Sequence, residues 1–223
     1  MANFRTHFGV ASVGGLLVSQ AGWQASLYGL WQACAIAGLI AFGGILPDID
    51  ADNSRAVRLI FQILALIAVV MTVLVLQHRV TPAMLFAACG GAYLGVRYVA
   101  SAVFARFTVH RGLWHSLLAA TLSGLGATAA SFTLLHQPAP LAWLHGLALT
   151  LGFLIHLTLD ELYSVDLTGA RLKRSFGTAL KPFDWHAPGS TLMLILTSVH
   201  LFAWLPSFSV LRDVLAQSLT LWR

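Results

Sequence analysis

Apolar residues fill most of the chain in runs of about 20, the length of a membrane-spanning helix. Six such runs lie at 26–46, 57–77, 83–105, 116–136, 141–160 and 190–206, and a shorter, glycine-rich seventh lies at 4–20. Residues 21–23 separate the seventh run from the next one, as in a helical hairpin. Thr81-Pro82 is typical of an N-cap and first helical residue, and Ser190 follows a Pro-Gly break as a cap. The pattern predicts an all-α, polytopic membrane helical bundle of about seven spans.

The last residues follow a different pattern. Between 207 and 223 apolar residues recur at helical spacing, opposite Arg212, Asp213 and Gln217. A helix with one apolar and one polar face lies along a membrane surface rather than across it. The chain therefore divides into a transmembrane helical domain, 1–206, and an interfacial amphipathic tail, 207–223.

The composition supports a membrane protein, because 58% of the residues are apolar and only 9% are charged. A soluble domain has about 25% charged residues. The net charge of +5 could attract an anionic polymer, but Lys and Arg are scattered singly, so no nucleic-acid partner is expected. Cys34 and Cys89 lie inside apolar runs, which argues against a disulfide framework or a cysteine metal motif.

The charges also predict an orientation. With seven spans, nine basic residues fall on one side of the membrane and three on the other, while Arg97 lies within a span. The positive-inside rule places the first side in the cytoplasm, with the N-terminus inside and the C-terminus outside. All acidic residues except Asp213 fall on that cytoplasmic side as well.

Two short patterns on this side combine histidine with carboxylates. His7 follows Thr6 at the start of the first helix, where a lone histidine is usually just an interfacial residue. Asp48, Asp50 and Asp52 alternate where a span ends, so in an extended segment they would project to one side. A solvated loop explains them too, but three carboxylates near an anionic membrane surface favour a compensating cation.

Two further patterns are stronger. In a continuous helix His110 and His115 would be separated by about 140°, so both can face one ion only if His110 precedes the helix start, a turn that Gly112 permits. His156 and Asp160 are four residues apart and share one helix face, where they could grip a cation or simply pair with each other. Ionisable groups at membrane depth generally mark function.

The predicted metal ligands come from these four patterns: His7, Asp48, Asp50, His110, His115, His156 and Asp160. The set has nitrogen and oxygen but no sulfur, which favours a divalent metal such as zinc, with manganese as the alternative. It has more ligands than one tetrahedral ion needs, which suggests two ions. Four histidines are expected outside the site: His78, His136, His145 and His200. His186 is not expected to bind the metal directly.

At these residues the chain resembles the YdjM/DUF457 family of bacterial inner-membrane metal-dependent hydrolases. The matching segments follow in order along most of the chain: Thr6-His7, Leu46-Pro47-Asp48-Ile49-Asp50, His110 to Leu117, and His156 to Asp160. Gly169 and the segment 180–183 look like the loop that follows the site in that family. The resemblance implies an inner-membrane hydrolase with a site similar to those of zinc-dependent phospholipases C and P1-type nucleases, which cleave phosphate esters with several metals.

We therefore expect an enzyme that hydrolyses a phosphoester, in a membrane lipid or lipid-linked phosphate, at the cytoplasmic face by metal-activated water. Asp50 or Glu161 would act as general base or orient the water. Arg111, with Lys173 or Arg174, would hold the phosphate. Two alternatives stay open: a metal-ion transporter, because intramembrane His and Asp also mark ion pathways, and a non-catalytic membrane protein whose metal joins helix ends.

Overall fold

The computed structural model describes residues 3–50, 55–103, 114–166, 171–172, 177, 180–185 and 187–220. These residues are mostly α-helical, so the predicted all-α fold is confirmed. The helices are α1 (Phe4–Gln24), α2 (Leu30–Gly43), α3 (Arg55–Leu76), α4 (Pro82–Leu94), α5 (Leu117–Thr133), α6 (Ala139–Leu162), α7 (Pro188–Leu201) and α8 (Phe208–Thr220). Between α6 and α7, Val165–Asp166 pairs antiparallel with Arg171–Leu172 in a two-residue ladder.

The chain forms two compact units, one of Met1–Pro47 with Leu113–Arg223 and the other of Asp48–Gly112. In the second unit α3 packs against α4. Thr81 caps α4 by accepting a hydrogen bond from the Met84 N–H, and Pro82 is the first helical residue, as predicted. Beyond α4 the helix continues as a π-helical turn over Gly95–Ala100.

Small residues let the helices of the first unit approach closely. Helix α1 buries one stripe of residues: His7, Ala11, Gly15, Ser19 and Gly22. A Cβ on Gly15 would lie 2.8 Å from the Ala37 carbonyl oxygen, so α1 and α2 are in near backbone contact. Helix α1 also packs against α6. His7 therefore stands at the end of a buried stripe rather than at a free helix end.

The start of α5 is held by a distant loop. Ser116 is the N-cap, and its hydroxyl accepts a hydrogen bond from the Ala119 N–H at 3.2 Å. The Leu117 N–H donates to the Lys181 carbonyl at 3.0 Å. These bonds satisfy helix N–H groups that would otherwise have no partner, and they fix the position of His115 immediately before the helix.

Three helices among the described residues are long and apolar enough to cross a membrane: Val57–Leu76, Pro82–Val103 and Ala139–Leu162. They correspond to three of the predicted spans. A fourth span is possible if Pro188–Trp204 and Phe208–Ser218 are counted together, although they meet at 93°. Helices α2 and α5 are apolar but shorter, so the number of seven spans stays a prediction.

The tail forms α8, which is attached to the start of α6. The Trp143 indole N–H donates to the Ser207 carbonyl at 3.2 Å, and Val214 is buried. Arg212 and Asp213 are mostly exposed. Helix α8 therefore has a buried apolar residue and exposed charged residues, as an amphipathic helix does. Its position along a membrane surface stays a prediction.

Three local predictions were wrong. Leu46–Asp50 is a 3-10 helix rather than an extended segment, because Pro47 fixes a helical φ angle. Successive 3-10 residues rotate by about 120°, so positions 48 and 50 do not share a side; Asp52 lies outside the described residues.

Two helix boundaries also differ from the prediction. Helix α7 starts at Pro188 and includes Ser190, since proline fits a first helical turn. Helix α1 runs through residues 21–23 to Gln24.

Candidate metal centre

Helix α1 supplies the first histidine. Asn3 caps the helix, its side chain accepting a hydrogen bond from the Thr6 N–H at 2.9 Å. His7 follows in the first turns and is only 2% exposed. The buried stripe that begins with His7 and Ala11 directs the imidazole into the first unit.

The end of α2 positions the second histidine through its backbone. The His156 Nδ1 atom lies 2.8 Å from the Gly44 carbonyl oxygen, and the contact is buried. The approach depends on two glycines, because a Cβ on Gly44 would collide with the Ala11 Cβ and one on Gly152 would collide with the Ile40 carbonyl. A carbonyl can only accept, so Nδ1 carries the proton and Nε2 presents its lone pair on the other side of the neutral ring.

Asp160 is the centre of the cluster. Its Oδ1 lies 3.1 Å from the His7 Nε2, and its Oδ2 lies 3.7 Å from the His156 Nε2 and 3.8 Å from the His115 Nε2. The Ser164 hydroxyl donates to the Asp160 backbone carbonyl at 2.8 Å and secures this end of α6. Three imidazoles from three segments of the chain thus face one carboxylate.

The imidazole rings differ in orientation. The His7 and His156 rings are stacked, with centroids 3.7 Å apart and planes 12° apart. The His115 and His156 rings meet edge to face, with centroids 5.6 Å apart and planes 66° apart. The stacked pair and the edge-to-face pair share His156.

The cluster is withdrawn from water, since none of its four side chains is more than 5% exposed. A carboxylate is costly to bury unless a cation or several hydrogen bonds compensate its charge. The His7 Nδ1 is buried and has no hydrogen-bond partner among the described residues. The site therefore concentrates the Asp160 carboxylate and several imidazole nitrogens in a low-dielectric environment.

The residues present fit a divalent metal. Two ligands of one zinc ion, each about 2.0 to 2.1 Å from it, lie about 3.4 Å apart. The separations from Asp160 to the three Nε2 atoms, 3.1, 3.7 and 3.8 Å, bracket that value. His156 also shows the usual support of a ligating histidine, a hydrogen bond from its other ring nitrogen to a backbone carbonyl.

Within the first unit, the structure brings together the predicted ligands His7, His115, His156 and Asp160. Asp48 is the first residue of the second unit. Several predicted site residues lie outside the described part of the chain, and so does His186: the Asp50 side chain, His110, Arg111, Lys173 and Arg174. Glu161 follows Asp160, and its carboxylate accepts a hydrogen bond from the Gly177 N–H. The catalytic roles predicted for Asp50, Glu161 and Arg111 stay predictions.

The histidines expected outside the site do lie elsewhere. His78, His136 and His200 are exposed. His145 is buried on α6, where its Nδ1 lies 2.7 Å from the Ser131 hydroxyl. None of them belongs to a group of possible metal ligands among the described residues.

The sequence analysis missed the groups that support the ligands. The Gly44 carbonyl orients His156, and Gly152 provides the space for it. A backbone carbonyl has no signature in a sequence. The signal that could have indicated it is Gly43-Gly44 at the end of a span, since paired glycines often mark a close approach of two helices.

The fold and the site together define a helical membrane protein with a candidate metal centre. The family model described as YdjM inner membrane protein matches residues 1–219, nearly the whole chain. The chain therefore belongs to the YdjM inner membrane protein family, which confirms the resemblance seen in the sequence. No curated protein and no solved structure gives a significant match.

Proposed function

We propose that this protein is a metal-dependent hydrolase of the bacterial inner membrane that cleaves a phosphoester in a lipid or lipid-linked substrate. One observation carries the proposal: three imidazole Nε2 atoms face the buried carboxylate of Asp160. The donor set suits zinc, with manganese as the alternative. Bound there, the metal would supply Lewis acidity toward a phosphoryl oxygen and toward a water molecule.

The chain's own residues would perform the remaining tasks. His7, His115, His156 and Asp160 hold the metal, and the Gly44 carbonyl keeps the His156 ring in place. Asp50 or Glu161 would take the proton from the attacking water and pass it to the leaving alkoxide as the phosphorus–oxygen ester bond breaks. Arg111, with Lys173 or Arg174, neutralises the phosphate.

The position of the site favours an amphiphilic substrate. Asp160 lies two residues before the end of α6, a helix long and apolar enough to cross a membrane. Metal ligands at the end of a span are close to the layer of lipid headgroups, where the phosphates of lipids lie. The basic residues of the sequence assign this end to the cytoplasm in a multi-pass topology.

The test is hydrolysis by detergent-purified protein loaded with zinc or manganese, using a panel of phospholipids and lipid-linked phosphates. The wild type is expected to release the alcohol from at least one of them, and His156→Ala to lose both metal and activity. His145→Ala is the matched control, because it removes a buried histidine from the same helix outside the cluster, and it should retain both.

Arg111→Ala separates catalysis from metal binding. We expect it to keep its metal and its fold while turnover falls sharply, because a charge-assisted hydrogen bond to phosphate is lost. Elemental analysis and turnover, measured on the same preparation, compare the metal content and the activity of Arg111→Ala with those of the wild type. A fully metallated wild type that cleaves none of the panel would contradict the hydrolase function.

The burial of the cluster favours one rival function, a structural metal. The four ligand side chains are at most 5% exposed, and structural sites have every metal position filled by protein. In that case the His156→Ala variant would unfold more easily and the wild type would have no hydrolase activity. A transporter is less consistent with the position of Asp160, because transport sites normally lie near the middle of the membrane.

A further inference from the structure

We propose that Arg97, held against the ring of Tyr98, binds the phosphate of an anionic phospholipid on the surface of the second unit. Neither residue has a role in the candidate metal centre. The proposal concerns binding alone, and no bond is broken at this site. Its test therefore measures binding and does not depend on the hydrolase function.

Arg97 lies deep within a helix that is long and apolar enough to cross a membrane. This helix runs from Pro82 to Val103. With a rise of about 1.5 Å per residue, Arg97 lies about 22 Å from its first residue and about 9 Å from its last. A charged side chain at such a depth is costly and generally marks function. The long arginine side chain can keep its head at the headgroup layer while its stem stays among apolar groups.

The backbone at Arg97 departs from the α-helix. Gly95–Ala100 forms a π-helical turn within the span, and such turns are frequent at functional sites. A π-helix closes its hydrogen bonds over five residues instead of four, so consecutive side chains lie closer together around the helix. The Arg97 guanidinium carbon lies 5.2 Å from the centre of the Tyr98 ring, which is within the range of a cation–π interaction.

The positive charge of Arg97 is not matched by a negative one within the described part of the chain. There its guanidinium contacts the Tyr98 ring and makes no ion pair. The face of a ring attracts a cation but has no net charge. A guanidinium has five N–H donors in a planar fork, which matches a phosphate group with two parallel hydrogen bonds. A phosphate therefore suits both the charge and the donors of Arg97.

The surroundings favour a phospholipid over a free phosphate ion. Exposed apolar side chains lie on the same stretch of helix: Leu94, Val99 and Val103. Exposed apolar patches mark sites of membrane contact. A phospholipid offers a phosphate to Arg97 and acyl chains to these neighbours, whereas a free ion would have to leave water for an apolar layer.

The first experiment compares two lipids on the wild type. Detergent-purified protein is titrated with phosphatidylglycerol, which is anionic, and with phosphatidylcholine, which is zwitterionic, and bound lipid is measured by native mass spectrometry. We expect phosphatidylglycerol to bind about 10-fold more tightly or better, and soluble glycerol phosphate not to displace it. Equal affinities for the two lipids, no binding of either, or displacement by glycerol phosphate would overturn the proposal.

Variants then assign the binding to Arg97. Arg97→Gln should weaken phosphatidylglycerol binding about 10- to 100-fold, because charge-assisted hydrogen bonds are lost. Arg97→Lys should be intermediate, since an ammonium group is a point charge without the planar fork. Arg79→Gln is the matched control, because it removes an exposed arginine from the turn between α3 and α4, and it should bind like the wild type.

Wild-type affinity in Arg97→Gln would overturn the proposal. If Arg97→Gln is not monodisperse on gel filtration, Arg97→Lys replaces it, and the comparison of lipids on the wild type needs no variant.

Tyr98 acts as a positioning residue. Tyr98→Leu should weaken phosphatidylglycerol binding about 2- to 5-fold, because the cation–π contact is lost. Tyr98→Phe keeps the ring and removes only the hydroxyl, so it should restore wild-type affinity. Binding as weak in Tyr98→Phe as in Tyr98→Leu would overturn the role of the ring.

Discussion

Helix α6 buries two histidines in different surroundings. His145 and His156 are separated by 11 positions, about three turns or roughly 16 Å, and so lie on the same face of the helix. His145 contacts the Ser131 hydroxyl at 2.7 Å. His156 lies between the Gly44 carbonyl and the Asp160 carboxylate. Both histidines are thus buried on the same face of the helix, and their partners differ.

The hydrogen-bonding partners decide whether both nitrogens of each imidazole can be satisfied. A hydroxyl both donates and accepts, so Ser131 satisfies the His145 Nδ1 in either tautomer. A carbonyl and a carboxylate only accept, and a neutral imidazole has one proton to offer. The neutral His156 ring gives its one proton to the Gly44 carbonyl, so its Nε2 lone pair and the Asp160 carboxylate are both available to a metal ion. The comparison teaches that a buried histidine indicates a cation site when acceptors lie at both of its nitrogens.

The largest effect is expected at the carboxylate. Asp160→Asn replaces the charged carboxylate by a neutral amide, which is a poor metal ligand, and we expect metal content and hydrolysis to fall to background. Elemental analysis and the phospholipid assay measure both, with His145→Ala as the unaffected reference. Full metal content in Asp160→Asn would show that the acceptor at His156 does not create the cation site.

An intermediate effect is expected where α2 meets α6. Gly152→Ala places a methyl group against the Ile40 carbonyl, which should shift the Gly44 carbonyl away from His156. Loss of such support typically costs about 10- to 100-fold in metal affinity, and overpacking costs about 1 to 3 kcal/mol of stability. Metal titration and thermal unfolding in detergent check both values.

Gly126→Ala is the matched control for this prediction. It lies in α5, and a Cβ there would meet no atom within 4 Å. It should keep the metal affinity of the wild type and be slightly more stable, because alanine favours helix over glycine. Equal metal affinities in Gly152→Ala and Gly126→Ala would show that the Gly44 contact does not support the site.

The smallest effect is expected at the other histidine. Ser131→Ala removes the hydrogen bond that joins α5 to α6 at His145. Hydrogen bonds between membrane helices contribute about 0.6 kcal/mol on average, so the unfolding free energy should fall by about that amount with no change in metal content. A loss of metal in Ser131→Ala would mean that the two ends of α6 are coupled, contrary to the comparison.

The sequence predicted the fold better than the site. Apolar runs predicted the helices because burial in lipid requires them, and Thr81-Pro82 located the start of α4. The i, i+4 spacing of His156 and Asp160 predicted their contact, since helix geometry alone fixes it. The Gly44 carbonyl and the stacking of His7 on His156 arise from how separate helices pack. Gly43-Gly44 indicates that another helix comes close, but it does not indicate which helix or which side chain. The expected extended segment was wrong for a local reason, because Pro47 favours a 3-10 turn.

The direct backbone contact between Gly152 and the Ile40 carbonyl has an energetic consequence. No side chain separates the two helices there, so there is no rotamer to rearrange when a ligand arrives. The conformational entropy of aligning the Gly44 carbonyl with His156 is lost once, during folding, and binding is more favourable for a preorganised receptor. Calorimetry of metal binding should therefore show a small change in heat capacity, as for a cavity that already has its final shape.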